Sequence, residues 1–190
     1  MFGEFNHAQD LPLTFVMPAV VVEGTFKARI RRVTDLMNDP ENAQLVLTDA
    51  VFVNIANGRR SAKAAIAKIN TAEVLIVHPT VPIEGSGQPR TSKRPIGANI
   101  LLPPFAVEGK IHLVHERELR TAVMSLTDRW IAVTEARYWG LGIALPPVSV
   151  DFVVINHAKA QIAIGNADEW DAPASTEHEA AAANAWSNPW

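Results

Sequence analysis

Apolar and polar residues alternate along two stretches of this chain, and the alternation predicts strands. In the first, Val20, Val22, Phe26, Ala28 and Ile30 fall on one face while Glu23, Thr25, Lys27, Arg29 and Arg31 fall on the other. In the second, Val107, Ile111 and Leu113 alternate with Glu108, Lys110 and His112. A strand with this period covers a core on one side only. Gly24 and Gly109 interrupt the apolar face at matching places, where a strand bending round a small barrel carries a glycine or a bulge. The spacing then becomes helical. Val33, Leu36 and Met37 share a face in the first stretch, with Thr34 as the expected N-cap and Asn38-Asp39-Pro40 as a stop; Leu119, Ala122, Val123 and Leu126 do so in the second. "QLVLTDAVFVNI" and "WIAVTEARYWGL" each read as strand, turn, strand. The closing segments "AAIAKINTAEVLIV" and "VDFVVINHAKAQIAI" are almost continuously apolar, as expected of strands covered on both faces.

These stretches are two copies of one unit. Without a gap, residues 47–77 fall on 133–163, which pairs Thr48 with Thr134, Ala50 with Ala136, Ile69 with Ile155, Asn70 with Asn156 and Ile76 with Ile162. "VEG" at 22–24 falls on "VEG" at 107–109 with the register one residue shorter. A tandem duplication is the expectation. It predicts a mainly β protein of two tandem small β-barrels with short inserted helices, the first over 16–80 and the second over 105–165. Residues 81–104, rich in proline and glycine, read as a disordered linker. Residues 166–190 read as an acidic, alanine-rich, disordered tail that holds Trp170, Trp186 and Trp190.

At 190 residues, 48% of them hydrophobic, the chain can fill two small cores. A net charge of -3 supplies no overall positive field, so nucleic-acid binding would need a local basic patch. The absence of cysteine excludes disulfides, thiolate metal sites and cysteine nucleophiles, and fits a reducing compartment. No apolar run approaches the ~18–20 residues that span a bilayer, and Glu4 and Asp10 stand where a signal peptide carries basic residues. A cytoplasmic protein without membrane attachment is expected.

"LMNDPENAQLVLTDAVFV" resembles the first signature of the Sm-like proteins at Asp35, Met37, Asn38, Leu45, Val46, Leu47, Asp49 and Ala50. "INTA" at 69–72 and "INHA" at 155–158 stand where the second signature would carry Arg and Gly. The stretch "RRVTDLMN…LVLTDA" is similar to an uncharacterised bacterial family of small β-proteins with an Arg-hydrophobic-Ser/Thr-Asp-Leu-hydrophobic-Asn segment before a strand ending Thr-Asp-Ala. That resemblance covers residues 16–78 and, in weaker form, 100–165. It implies an Sm-like or SH3-like barrel and brings no activity with it.

Candidate residues follow from the same segments. In Sm-like proteins the Asn of the first signature contacts RNA, a role the resemblance transfers to Asn38; Asn at that place also suits a helix C-cap. Lys27, Arg29 and Arg31 form a basic strand face that could meet phosphates or simply solvent. His112 and His115 lie three apart on a strand and so point to opposite faces, which excludes them as a metal pair. Asp49 and Glu135 recur at equivalent turns and read as turn caps rather than as an acid–base pair. No cofactor, metal or catalytic residue is expected, and no enzyme. The reading is a non-catalytic binding or assembly module that self-associates or takes a protein partner, with Trp170, Trp186 and Trp190 as docking anchors. RNA binding is the alternative.

Overall fold

A computed structural model describes residues 9–28, 32–80, 93–114, 118–143 and 145–164. The described chain forms one antiparallel sheet of ten strands with two six-residue helices. The first half contributes β1 (Gln9–Val16), β2 (Val20–Ala28), helix α1 (Val33–Asn38), β3 (Gln44–Asn54), β4 (Ala64–Asn70) and β5 (Ile76–Pro79). The second contributes β6 (Lys93–Leu102), β7 (Phe105–Val114), helix α2 (Leu119–Met124), β8 (Trp130–Gly140), β9 (Val148–Asn156) and β10 (Gln161–Ile164). Along the sheet the order is β10-β6-β7-β8-β9-β5-β1-β2-β3-β4.

The halves are equivalent in detail. Each runs in the order fifth, first, second, third, fourth strand. The register slips at the same place, between Glu23 and Thr25 and between Glu108 and Lys110, around Gly24 and Gly109. A Cβ on Gly109 would lie 2.6 Å from Val133 and one on Gly24 3.1 Å from Leu47, so glycine is what lets the second strand bend onto the third. Asp49 and Glu135 both adopt positive φ, 57° and 49°. The strand–turn–strand expected at these residues is a single bent strand in each copy, because one left-handed residue kinks the chain without ending its pairing. Lys63 pairs with Asp49 at 3.1 Å and Lys110 with Glu135 at 2.6 Å, both in solvent.

The two closed barrels expected from the sequence do not form. Closing each would require β4 to pair with β5 and β9 with β10. Instead β5 pairs with β1 on one side and with β9 of the other half on its second side, through Ile76 opposite Ile155 and Val77 opposite Val154. That exchange merges the halves into one open sheet, and β4 and β10 become its end strands.

Two strands fall where the sequence suggested none. β1 precedes the expected first domain, with Leu11, Leu13 and Phe15 buried in alternation. β6 runs through the segment read as linker at 81–104, with Ala98, Ile100 and Leu102 buried. Among the described residues β10 pairs with Ala98 to Leu101, so Pro95 has a described strand neighbour on one side, that of β7, where an edge position tolerates proline. The tail at 166–190 lies outside the described residues.

Candidate functional site

The seam between halves is built from both. The first core, around Leu13, Phe15, Leu36, Leu47 and Val77, also takes in Trp130 and Val154 from the second half, with Phe152 packed against it. The second core takes in Val16, Ile55, Leu75 and Ile76 from the first. The β5–β9 strand pair therefore carries one face in each core.

Polar groups fix this seam. The Asn38 amide accepts from the Trp130 N–H at 2.9 Å and donates to the Trp130 carbonyl at 2.8 Å, so the side chain at the end of α1 pins the start of β8. Its helix is closed by Asp39, whose N–H reaches the Asp35 carbonyl, and starts after Arg32 rather than at Thr34. Asn156 donates Nδ2 to the Val74 carbonyl at 3.0 Å and its backbone N–H to Leu75 at 2.8 Å. Its counterpart Asn70 does something local: the carboxamide oxygen accepts from Ala72 N–H and caps its own turn.

A second polar pair crosses the seam. His78 Nδ1 donates to the Pro79 carbonyl at 2.9 Å, which leaves Nε2 to accept from the Tyr138 hydroxyl at 3.1 Å. Burial holds the His78 pKa below its usual value, against the opposing pull of the Pro79 hydrogen bond and of Glu23, and burial raises that of Tyr138. Both rings are thus neutral near pH 7. On β7, His112 bonds Thr134 Oγ1 at 2.8 Å, and its pKa is lowered by burial and then by Lys93.

Of the residues singled out from sequence, Lys27 is exposed on β2, while Arg29, Arg31, His115, Trp170, Trp186 and Trp190 lie outside the described residues. Asn38 is engaged at the seam, with its amide on the Trp130 backbone. Among the described residues no three His, Asp or Glu side chains gather as metal ligands, and no helix is long and apolar enough to cross a membrane.

Comparison with protein-family models, curated proteins and solved structures found no match to this chain.

The feature with interaction chemistry is the pair of sheet ends. β4 and β10 each have one strand neighbour among the described residues, so each presents a row of backbone donors and acceptors on its outer side. Ile66 on β4 is 70% exposed, and Val46 beside it on the same face 54%. At the other end Leu101 and Leu141 are 45% and 43% exposed, and Met124 at the end of α2 is 73% exposed. From the sequence Val46 was noted only as a position of the Sm-like signature and Met124 only as the counterpart of Asn38; Ile66, Leu101 and Leu141 were not singled out. The signal was present as a mismatch between the copies: where the second has Trp130, the first has Gln44, and where the first has Asn38, the second has Met124.

Proposed function

We propose that the protein is a non-catalytic assembly module that binds protein by strand addition at its open sheet ends. The observation that supports this is the coincidence of an unpaired strand edge with exposed large apolar side chains at each end of the sheet. Strand addition satisfies the backbone groups of an edge, and neighbouring side chains give the contact its specificity. Ile66 and Ala163 are exposed, so Ile66→Glu with Ala163→Glu blocks both edges while leaving the cores intact. Sedimentation of the full chain over a concentration series, with and without added cell extract, measures the effect. Loss of every association in the doubly blocked protein supports the reading. Association that survives the double change contradicts it. A salt-dependent shift with single-stranded RNA that disappears in Lys27→Ala would turn the reading toward RNA.

A further inference from the structure

The seam inside the chain is a worked example of how one half binds another, and its register can be transferred to the free ends. The equivalences come from the ladder itself. Phe15 lies opposite Val22 and Val77, and Ile100 lies opposite Val107 and Ile162. Since Val22 and Val107 are matched, Val77 corresponds to Ile162 and Ile76 to Gln161. The connection before the fifth strand is therefore one residue shorter in the second half, and the ungapped match of Ile76 with Ile162 is corrected by one position. Leu47 opposite Ala67 and Val133 opposite Val153 fix the fourth strands, so that Ile66, Lys68 and Ile69 correspond to Phe152, Val154 and Ile155.

The exposed apolar residues are the counterparts of seam residues. Leu101 corresponds to Val16, and Leu141 to Ile55. The latter match is independently marked by backbone bonds from Ile55 to Ala19 at 3.2 Å and from Leu141 to Pro104 at 2.7 Å. Ile66 corresponds to Phe152, and Met124 to Asn38. In the seam these positions are covered by the other half; at the ends they face solvent. Moreover the two ends are complementary. The β10 end carries the elements that the first half brings to the seam, and the β4 end carries those that the second half brings.

We propose that the β10 end of one copy binds the β4 end of a second copy of this chain, head to tail, in the register of the β5–β9 pair. This rests on the edge-binding reading above and names its occupant. Gln161 then lies opposite Ile69 of the second copy and Ile162 opposite Lys68. Ile66 of the second copy enters beside Ile162 and Ile164 as Phe152 enters the first core. The Asn70 N–H of the second copy reaches the Ala160 carbonyl as Asn156 N–H reaches Leu75. Each contact leaves one β4 end and one β10 end open, so the association continues until it closes on itself. Lys68 occupies the place of the fully buried Val154. A lysine on an edge strand opposes uncontrolled pairing, so the contact is reversible.

The chain has no cysteine, which makes cross-linking specific. Full-length Ile162→Cys and Lys68→Cys proteins, oxidised together, are expected to give a covalent two-chain product that neither gives alone. In parallel, Lys68→Val is expected to tighten self-association about tenfold in sedimentation, the effect of burying one more branched aliphatic side chain. Products from either variant alone, in place of the mixed product, would overturn the head-to-tail register while leaving edge binding intact. A one-chain mass for both the native and Lys68→Val proteins would overturn the second copy as occupant. So would association that appears only after removal of residues 165–190, which would make that segment the occupant of an edge. Association that neither the cysteine pair nor the blocked edges report would sink this proposal and the edge reading together.

Discussion

The seam strands and the end strands are the same elements of one repeated unit in two situations. At the seam, Trp130 and Val154 are fully buried and Asn38 grips the backbone of Trp130; at the ends, the equivalent places hold Gln44, Lys68 and Met124. The backbone pattern that permits pairing is common to both. What separates a permanent contact from an open one is a few side chains, one large aromatic, one aliphatic and one amide in particular. Asn70 and Asn156 differ within a single residue type, since the first caps its own turn at the surface and the second crosses to the other half.

Changes at the seam are the strongest way to break that contrast. Trp130→Ala is expected to cost about 3–5 kcal/mol in denaturant unfolding, because a fully buried indole in the first core leaves a cavity. Trp130→Phe should cost less, since the indole N–H it removes has no hydrogen-bond partner in the fold. Equal losses for Ala and Phe would show that shape at the seam matters more than volume. Asn38→Ala comes next: it strips both bonds from the Trp130 backbone and is expected to cost roughly 1–3 kcal/mol. A change within error of zero would mean that water replaces the amide and that the seam is held by packing alone.

The contrast can also be sharpened by pH. The folded pKa of His78 lies below its unfolded value of 6.5, so the unfolded chain binds the proton more readily. Stability from the neutral ring is complete above that unfolded pKa and is lost as pH falls through the window beneath it. Thermal unfolding between pH 7 and 5 should show a falling Tm, and His78→Phe should flatten the slope. His112 has a shift of the same sign but is more exposed, so its share of the slope is smaller. A native slope that persists in His78→Phe would place the titration elsewhere. The smallest effects belong to the ends: Gln44→Ala and Met124→Ala should each change unfolding by no more than about 0.5 kcal/mol. Met124→Ala should nonetheless weaken association in the sedimentation assay.

The duplication was legible because identities such as Thr48 with Thr134 and Asn70 with Asn156 recur at a fixed spacing, and because Gly24 and Gly109 mark the same bend. The helices were legible from periodicity, whereas the closing apolar runs, expected to be covered on both faces, are not so covered: β4 leaves Ala65, Ile66, Lys68 and Asn70 exposed, because it ends the sheet rather than lying inside it. The open sheet was not legible. Whether β5 closes on β4 or crosses to β9 is a choice between two equivalent edges, and periodicity reports faces rather than partners. β6 was hidden by its own Pro95 and Gly97, which weigh heavily in composition but sit where, among the described residues, the strand pairs with β7 alone. β1 was hidden by Pro12, which breaks the apparent run of Leu11, Leu13 and Phe15. At the sites, Asn38 was found for a role in RNA contact or helix termination, whereas its geometry serves the seam. Ile66, Leu101 and Leu141 carry no motif; only their equivalence to buried residues in the other copy marks them.

The seam is carried by a single chain, and this has a consequence for stoichiometry. Tethering keeps its two sides at an effective concentration on the order of millimolar or above at any dilution, whereas contacts between chains obey mass action. Every copy that joins an assembly therefore adds its repeat units two at a time. A ring closed by the proposed head-to-tail contact would contain an even number of units, with intramolecular and intermolecular contacts alternating around it. On dilution such a ring would come apart at every second contact, into intact chains and never into halves.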